Sequence, residues 1–499
     1  MKISVAKKNC SQVQFKRPLT LGLNKGTGNF WRFSKIEKIV IGITISAILI
    51  LSAFGFIMNA GNPAPDVLPV VNDPTATPVQ TTNPTSTAIA PPDPIKSSVN
   101  GNVPTVGGWV QPAQTQKAPG LIESSSVMNS TVWRQIAANA WNYFQPGRGV
   151  DSTTGLPASS FRWNYFTDWD LGVYIQAVID AQKIGLIDKD GDWGSMARLN
   201  KVVTFLETRA LNGTTPYWFY GSDGTPYMSQ PSVNVADSGV LLVALNNLKA
   251  YDSSFASRID NFVYNKASSS LPINSGNRTD YQSFVSPLKD ESFITTNIYA
   301  YYTAVGFASF FPQLAEAPDN ILSNIQNADT VTINNATIPL ANILCEPLLY
   351  SVFNLKGSPT FNPYLITLMN QTYSVHEAQY NSTGRYIAFS EGIGPYGFIW
   401  EWVVLPNGDT WKITNPDGSY ADINPVIYTK VSLSFLALYN TTFAHDMSLY
   451  LERVSFDPSN GYCAGADYNL NISAANLYSG IECNTNGLII SAALYTLSS

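Results

Sequence analysis

Histidine and cysteine are scarce in this chain. Its 499 residues include two histidines, His376 and His445, and four cysteines. A zinc site with three histidines is therefore excluded, and a Ser-His-Asp triad has only two positions for its base. The cysteines form no CxxC pair, which removes the redox and zinc sites built on that spacing. We expect no metal and no cofactor.

So few cysteines cannot build a disulfide scaffold, and a packed core must stabilise the fold instead. Cys10 lies in a basic N-terminal segment and Cys345 in an apolar run, whereas Cys463 and Cys483 bracket one polar loop. We predict that Cys463 and Cys483 form a disulfide, because the charge pattern described next places that loop outside the cell.

One long apolar run stands out, from Ile39 to Ile57, with nineteen consecutive uncharged residues. A helix needs about 20 apolar residues to cross a bilayer, so we predict a transmembrane helix over residues 39–58. Residues 1–38 carry nine Lys or Arg against one acid, which keeps this segment cytoplasmic and the rest of the chain outside. A cleaved signal peptide ending near Ala53 or Ala60 is the alternative, but the long polar leader favours an uncleaved anchor.

Large apolar residues are nearly absent from the next segment, residues 59–119, which contains twelve prolines and many Thr, Ser and Asn residues. Such a segment cannot bury enough surface to fold. We therefore interpret it as an extracellular linker that lifts a domain, residues 120–499, away from the membrane.

Basic charge is also lacking in the outer part. The chain has a net charge of −6 and residues 1–38 contribute +8, which leaves −14 for the rest. Nucleic acid is excluded as a partner by this charge, whereas neutral glycans are compatible with it. Eight Asn-x-Ser/Thr sequons predict N-glycosylation of the outer part, although such triplets also arise by chance in a chain of this composition. Their asparagines are Asn129, Asn212, Asn277, Asn335, Asn370, Asn381, Asn440 and Asn471.

From about residue 128 the apolar residues recur at helical spacing, which predicts a mainly α domain. Helices that are apolar on all sides, such as SGVLLVALNNL at Ser238, alternate with half-polar helices, as an inner ring inside an outer ring would require. Short hairpins are expected at TVTINNATI and around Asn407-Gly408 and Asp417-Gly418. The twelve predicted helices are 132–144, 170–185, 195–211, 236–251, 255–266, 295–311, 318–327, 340–353, 363–378, 425–439, 444–453 and 486–496.

Gly-bearing turns recur before the helices of the apolar set, as in DSTTGLP, GSDGTPY, NSTGRYI and DPSNGYC. Each of four such helices is preceded by a short polar cap, at Asp170, Asp237, Thr295 and Thr485, whose side chains can accept from the free N–H groups of a helix start. Repeated hairpins at this spacing indicate a closed helical array.

The motifs AWNYFQPGRGVDSTTGLP and TDWDLGVYIQAVIDAQKIGLI, with SEGIGPYGFIWEW, PVIYTKVSLSFLALYNT and CNTNGLIISAALYTL, resemble an uncharacterised prokaryotic envelope domain of the glucoamylase-like (α/α)6-toroid class. The resemblance covers roughly Ser130 to Leu497. It implies a toroid in which the starts of the inner helices and the loops before them line a funnel, which the enzymatic relatives use for carbohydrate.

The residues that remain as candidates for catalysis are carboxylates that lie near aromatic residues in the sequence. A glycoside hydrolase needs a protonated acid at the leaving oxygen and an ionised partner that activates water. Seven acids precede inner helices and would converge on one opening, namely Asp168, Asp170, Asp237, Glu391, Glu401, Asp467 and Glu482. We predict Glu391 as the acid with Glu401 second, Asp467 or Asp170 as the base, and Asp237 as a further candidate. The aromatic residues predicted to hold a sugar are Trp169, Tyr396, Trp400, Trp402 and Tyr468.

Each acid also has a structural interpretation. Asp170 and Asp237 occupy positions typical of helix caps. Strand alternation puts Trp400 and Trp402 on the face opposite Glu401, so that the tryptophans could be core residues and Glu401 exposed. Asp467 could simply solvate a loop. Glu391, in the glycine-rich loop FSEGIG, has the least structural reason to be acidic.

Two functions follow with equal weight. The first is a membrane-anchored extracellular glycoside hydrolase, and the second is a non-catalytic glycan-binding or scaffold module of the cell envelope on the same fold. A polysaccharide lyase is a weaker third hypothesis, since it would use a Tyr or His base, and the loops are rich in acids instead.

Overall fold

The computed structural model of the chain describes residues 120–122, 127–227, 232–264, 279–358, 361–394, 397–467 and 480–498. Outside these ranges lie the predicted cytoplasmic segment, transmembrane helix and linker, and also Tyr396, Tyr468, Asn277 and Asn471. Within them, no helix combines the length and the apolar character needed to cross a bilayer.

Thirteen α-helices are present in the described residues, and each of the twelve predicted helices is among them, with ends shifted by up to five residues. The thirteenth, α6, was not predicted, because its sequence VSPLKDES is short and polar. The helices are α1 (Ser130–Trp141), α2 (Asp168–Ile184), α3 (Ser195–Thr208), α4 (Val235–Tyr251), α5 (Ala256–Val263), α6 (Val285–Ser292), α7 (Ile298–Ala308), α8 (Ala317–Gln326), α9 (Cys345–Asn354), α10 (Tyr364–Thr383), α11 (Thr429–Tyr439), α12 (Thr442–Ser455) and α13 (Cys483–Leu497).

Six of these helices form a closed inner ring. α2 packs on α4, α4 on α7, α7 on α9, α9 on α11, α11 on α13, and α13 returns to α2. The helices of this ring are buried on nearly all sides, as the sequence predicted for α4 and α13. The ring therefore supplies much of the hydrophobic core of the domain, which also includes residues of the outer helices.

The remaining helices surround the ring. α1 packs on α13, α3 on α2, α5 on α4, α8 on α7, α10 on α9 and α12 on α11, while α6 lies beside α7 and α8. Alternation of inner and outer helices along the chain is the (α/α)6 toroid, with one added helix. The last inner helix closes the ring beside the first helix of the domain.

A glycine contact sets the distance between two inner helices. A Cβ on Gly306 of α7 would lie 2.0 Å from the carbonyl oxygen of Gly239 in α4, and a Cβ on Gly239 would lie 2.6 Å from the Cα of Thr303. Real Cβ contacts are never this short, so the two helices can approach this closely only with glycine at both positions. The glycines in these apolar helices thus serve packing.

Short antiparallel sheets occupy the loops, and the two predicted hairpins are confirmed: β5 (Thr330–Ile333) pairs with β6 (Ala336–Pro339), and β8 (Gly397–Val404) pairs with β9 (Thr410–Thr414) and also with β7 (Glu391–Gly394). β1 pairs with β4, β2 with β3, β10 with β13 and β11 with β12. The strands are β1 (Tyr165–Phe166), β2 (Leu211–Asn212), β3 (Thr215–Pro216), β4 (Tyr220–Gly221), β5 (Thr330–Ile333), β6 (Ala336–Pro339), β7 (Glu391–Gly394), β8 (Gly397–Val404), β9 (Thr410–Thr414), β10 (Val426–Tyr428), β11 (Phe456–Asp457), β12 (Gly461–Tyr462) and β13 (Gly465–Asp467).

The predicted caps of the inner helices are misplaced by up to three residues. α2 is capped by Thr167, and Asp170 completes a capping box at the third helical position. α4 is capped by Asn234, so Asp237 lies inside the first turn and is not a cap. The sequence pattern located the helix starts but could not distinguish the cap from the residue three positions later, because both positions favour Asp.

The predicted disulfide between Cys463 and Cys483 is wrong, since both residues are buried free thiols. Cys463 lies opposite Ile481 in an antiparallel bridge. Cys483 is the first residue of α13, and its Sγ lies 3.6 Å from the carbonyl oxygen of Asp170. The two cysteines bracket a loop without forming a bond across it.

His376 is a core residue. Its Nδ1 lies 2.7 Å from the carbonyl oxygen of Thr372, and its Nε2 accepts a hydrogen bond from the N–H of Phe389 at 3.2 Å. These bonds fix a neutral ring, and burial lowers the pKa of His376 to about 4. This histidine has a structural role.

The six sequon asparagines that the structure describes are all exposed, which glycosylation requires. N-glycosylation at these sites stays a prediction. They are Asn129, Asn212, Asn335, Asn370, Asn381 and Asn440.

Candidate active site

All six inner helices begin at one end of the ring. Glu346 in the first turn of α9 forms an ion pair with Lys430 in the first turn of α11, and Trp169 at the start of α2 contacts Tyr299 at the start of α7 across 5.6 Å. We call this end the mouth. It consists of the first turns of the inner helices and the loops that precede them.

Asp237 projects from the first turn of α4 into the mouth. Its Oδ2 accepts a hydrogen bond of 3.1 Å from Nε1 of Trp218, which lies in the loop before α4. Burial, and then the negative charges of Asp168 and Asp170, raise the pKa of Asp237 to about 7. This carboxyl group can therefore gain or lose a proton near neutral pH.

Glu391 begins β7, in the segment between α10 and α11. It lies directly opposite Trp400 of β8, whose indole donates a hydrogen bond to its carboxylate. Burial raises the pKa of Glu391 to about 8, although the positive charge of Lys430 acts in the opposite direction. The charge of Asp237 contributes to this increase, so the two acids, distant in sequence, interact electrostatically in one mouth.

Asp170 is held more tightly. Its Oδ2 accepts from Ser159 Oγ at 2.5 Å, from Thr167 N at 3.0 Å and from Thr167 Oγ1 at 3.3 Å. Burial still raises its pKa, but these three donors leave it little freedom to act on a ligand. Asp170 therefore organises the start of α2, as its capping interpretation suggested.

Glu482 joins the mouth from the residue before α13. It accepts a hydrogen bond of 2.7 Å from Thr485 Oγ1. Burial raises its pKa, while the charge of Lys430 lowers it. Lys430 thus acts on both Glu391 and Glu482.

The ion pair of Glu346 and Lys430 was missed in the sequence. Glu346 is 0% and Lys430 is 1% exposed, and Ser390 Oγ lies 3.5 Å from the same Glu346 oxygen that Lys430 contacts. Each residue is a single charge in an otherwise apolar run, LCEPLLY or IYTKVSLSF. Such charges are almost never buried without a partner, so these runs did contain a signal for a buried pair.

A second buried ion pair supports the wall of the mouth. Arg209, which follows α3, contacts Asp168 at the start of α2 with distances of 2.5 and 3.2 Å. The guanidinium also lies over the rings of Tyr220 and Phe262. Because Arg209 engages both oxygens of Asp168, this acid has a structural role.

Aromatic rings form the floor and one rim of the mouth. Trp169 lies at the floor between Tyr299 and Tyr350, with ring centroids 5.6 and 6.1 Å away. Trp400 and Trp402 are half-buried on the rim, and the ring of Trp402 lies 6.2 Å from that of Tyr299. Three of the five aromatic residues predicted to bind sugar therefore surround the mouth.

Several buried polar atoms of the mouth have no hydrogen-bond partner among the described residues. All of them lie in the first turns of inner helices, apart from one in the residue just before α11. The atoms are Trp169 Nε1, Tyr299 OH, Glu346 Oε1, Tyr428 OH, Thr429 Oγ1 and Asn484 Oδ1. Buried polar atoms are normally paired with protein or ordered water. Their concentration at one end of the ring indicates a polar ligand site.

Glu401 does not face this site. Glu391 is paired with Trp400, so Glu391, Trp400 and Trp402 share one face of the sheet, and Glu401 lies on the other face. Glu401 is 0% exposed and accepts a hydrogen bond of 2.7 Å from the N–H of Val426. The interpretation with exposed Glu401 and core tryptophans is wrong, because the opposite face of the strand is the one that meets the core.

Asp467, another predicted catalytic residue, is the last residue of β13, where it pairs with Val426 of β10.

A family model described as "Protein of unknown function (DUF3131)" matches residues 135–499. The chain belongs to this family. The matched part of this DUF3131 chain includes the mouth and all six inner helices, and the match confirms the resemblance of its motifs to an uncharacterised domain. None of the curated proteins compared with the chain matches it significantly.

Solved structures resemble this DUF3131 chain at low identity. They include a protein from Bacteroides caccae provisionally named glucoamylase (14% identity, 74% of this chain and 95% of that chain, TM-score 0.48). Others are a β-1,2-glucanase from Parabacteroides distasonis (12%, 75% and 59%, 0.48) and an endo-β-1,2-glucanase from Chitinophaga pinensis in complex with sophorotriose and glucose (12%, 74% and 95%, 0.48). Identities this low do not transfer an activity.

Proposed function

We propose that this protein is a membrane-anchored extracellular glycoside hydrolase in which Glu391 is the general acid and Asp237 the general base. The observation that carries the proposal is the interaction, in one mouth, of two buried acids that come from separate segments of the chain. Glu391 accepts a hydrogen bond from the indole of Trp400, and Asp237 accepts one from the indole of Trp218 and one from the side chain of Asn234. Aromatic rings beside a pair of acids are suited to hold and cleave a sugar.

The raised pKa values of both acids suit these roles, and Glu391 as the acid follows the sequence prediction. Near pH 7.5, Glu391 with a pKa of about 8 is mostly protonated, and Asp237 with a pKa of about 7 is mostly ionised. Asp237 would take a proton from water as the water oxygen attacks the anomeric carbon. Glu391 would give its proton to the glycosidic oxygen as the bond from that oxygen to the anomeric carbon breaks.

The remaining acids of the mouth limit the substrate. Asp168 and Glu346 are neutralised by Arg209 and Lys430, and Glu391 is protonated as the general acid, so Asp170, Asp237 and Glu482 give the mouth its acidic character. An anionic polysaccharide would be repelled by it. We therefore propose a neutral glycan as the substrate.

The proposed location rests on the sequence. The apolar run over residues 39–57 follows nine basic residues, and the proline-rich linker over 59–119 separates it from the domain. Protease treatment of intact cells tests this: digestion of the domain without lysis is expected, and protection until lysis would contradict it.

The activity is tested by incubating the purified chain with a panel of neutral glucans and mannans and measuring reducing ends. Glu391→Gln and Asp237→Asn are each expected to lower the rate by at least 10²-fold, as loss of a general acid or base does. Glu316→Gln, an exposed position at the start of α8, is the matched control and should retain full activity. Full activity of Glu391→Gln would refute the assignment.

A non-catalytic glycan-binding module is the second candidate, favoured by the unpaired polar atoms around the floor of the mouth. These atoms could hold a sugar whether or not it is cleaved. Binding of panel glycans by wild type and by Glu391→Gln, with no new reducing ends in either, would support this candidate over the hydrolase.

A further inference from the structure

Five aromatic side chains lie together beside the mouth, and none of them was among the predicted sugar-binding residues. Trp163 and Tyr165 precede α2, and Trp218, Phe219 and Tyr227 precede α4. The ring of Trp163 lies 4.8 Å from Tyr165, 6.0 Å from Phe219 and 6.3 Å from Tyr227. We call these five residues the aromatic platform.

The backbone holds the platform in place. β1 pairs with β4, with Tyr165 opposite Gly221. The N–H of Ser222 donates to the carbonyl oxygen of Asn164 at 2.8 Å, and the N–H of Tyr227 donates to that of Phe219 at 3.0 Å. Two loops that are distant in sequence are therefore joined into one preorganised surface, which lowers the cost of ordering it on binding.

The platform does not belong to the core. From the same two strands, Phe166 and Tyr220 are fully buried, whereas Tyr165 points to the other face and is half-buried. The other four platform residues are half-buried as well. Contiguous aromatic surface left accessible on a folded domain marks an interaction site.

The platform is continuous with the proposed catalytic acids. Trp218 donates its indole N–H to Asp237, and its ring stacks on Phe219 with centroids 5.0 Å apart and an angle of 24° between the planes. Phe219 in turn meets Trp163 edge to face. A ligand that reaches Asp237 can therefore extend from the mouth over Trp218 and Phe219 to Trp163.

The chemistry of the platform suits a sugar ring. Its indole and phenyl faces are apolar and can cover the C–H face of a pyranose, while the Tyr227 hydroxyl and the Trp163 indole N–H are polar edges of the kind that pair with sugar hydroxyls. None of the five side chains is charged, and the adjoining mouth is acidic, so a neutral ring fits better than an anionic one.

We propose that the aromatic platform is a subsite for a neutral pyranose unit next to the unit held between Glu391 and Asp237, so that the ligand is an oligosaccharide chain. This inference rests on the proposed function. It predicts that affinity increases with chain length, because a longer chain occupies both the mouth and the platform, and that this increase depends on Trp163.

The test measures binding of glucose, mannose and their oligosaccharides of two to five units to the full-length chain by isothermal titration calorimetry. To separate binding from turnover, all variants carry Glu391→Gln. Trp163→Ala is expected to weaken binding of the longest bound oligosaccharide about tenfold or more, because one aromatic stacking contact is lost, and to leave monosaccharide binding unchanged. Trp163→Phe, which keeps an aromatic face, should retain most of the affinity.

Trp193→Ala is the matched control. Trp193 lies in the loop after α2, at the end of the ring opposite the mouth, beside Arg198 and Lys201. The Trp193→Ala variant should bind every oligosaccharide with the same affinity as the parent protein. Tyr165→Ala provides a second platform variant if Trp163→Ala fails to give the circular dichroism spectrum of the parent.

The outcomes separate the two proposals. If the affinity of the parent protein for oligosaccharides does not depend on their length, the platform proposal is refuted and only the mouth remains a glycan site. The same conclusion follows if the Trp163→Ala and Tyr165→Ala variants bind oligosaccharides as tightly as the parent does. A parent that binds no oligosaccharide overturns both. Binding of a protein partner that Trp163→Ala abolishes, with no glycan bound, would make the platform a protein interface and also overturn the subsite.

Discussion

Replacement of Lys430 by methionine is expected to destabilise the domain by about 3–5 kcal/mol, the usual cost of removing one partner from a buried ion pair. Lys430 and Glu346 are 1% and 0% exposed. Burial by itself would lower the pKa of Lys430, but Glu346, Glu482 and Glu391 raise it above its ordinary value. Removal of the ammonium group would leave these acids without their buried cation.

Replacement of the partner, in Glu346→Leu, should lower the free energy of unfolding by less than Lys430→Met does. In Glu346→Leu the ammonium group loses its ion pair but keeps the favourable charges of Glu391 and Glu482. The double variant Lys430→Met with Glu346→Leu should recover most of the stability, because an apolar pair of similar volume often replaces a buried ion pair at little cost. The double-mutant cycle should therefore give a coupling energy of at least about 2 kcal/mol.

Guanidinium unfolding of the purified chain, followed by circular dichroism, measures these free energies. Lys189→Met is the control, since Lys189 forms a surface ion pair of 2.9 Å with Asp252 and is 52% exposed. Its unfolding curve should match that of wild type, because exposed pairs contribute little. If Lys430→Met lost less than about 1 kcal/mol, the claim that this cation neutralises the wall of the mouth would be refuted.

Two further predictions concern protons and thiols. Hydrolysis should follow a bell-shaped pH profile with limbs near pH 7 and pH 8, because activity is lost when Asp237 is protonated below the first value and when Glu391 is deprotonated above the second. A rate that keeps rising above pH 9 would show that no protonated Glu391 is required and would contradict the acid–base pair. A thiol reagent should label neither Cys463 nor Cys483 in the folded chain and both after unfolding without reductant, because both are buried and free. If neither cysteine were labelled after unfolding, the predicted disulfide would be supported instead.

The sequence predicted the rings of the fold more accurately than the site. Helical periodicity located all twelve helices of the two rings, and the difference between wholly apolar and half-polar helices separated inner from outer members. α6 was not predicted, because its sequence VSPLKDES has no clear apolar stripe. Helix ends shifted where capping residues recur three positions apart, as at Thr167 and Asp170.

The orientation of strands and the pairing of charges depend on tertiary contacts. Alternation along β8 correctly separated Glu401 from Trp400 and Trp402, but only the packed structure decides which face meets the core. The pairing of Glu346 with Lys430 joins residues 84 positions apart, and no local pattern specifies which buried charge meets which. The aromatic platform was missed for the same reason, since its two loops become neighbours only through the pairing of β1 with β4.

The mouth contains more acids than a hydrolase needs, and their hydrogen-bond partners distinguish structural from catalytic roles. Helix starts favour negative charge, which explains why acids collect where the inner helices begin. Asp168 and Glu346 each have a buried cation, and Asp170 has three hydrogen-bond donor contacts. For Asp237 and Glu391, burial outweighs the hydrogen bonds that they accept and raises both pKa values into the range where protons exchange at neutral pH. The two acids whose pKa values burial raises to about 7 and about 8, Asp237 and Glu391, are thus well suited to transfer protons near neutral pH.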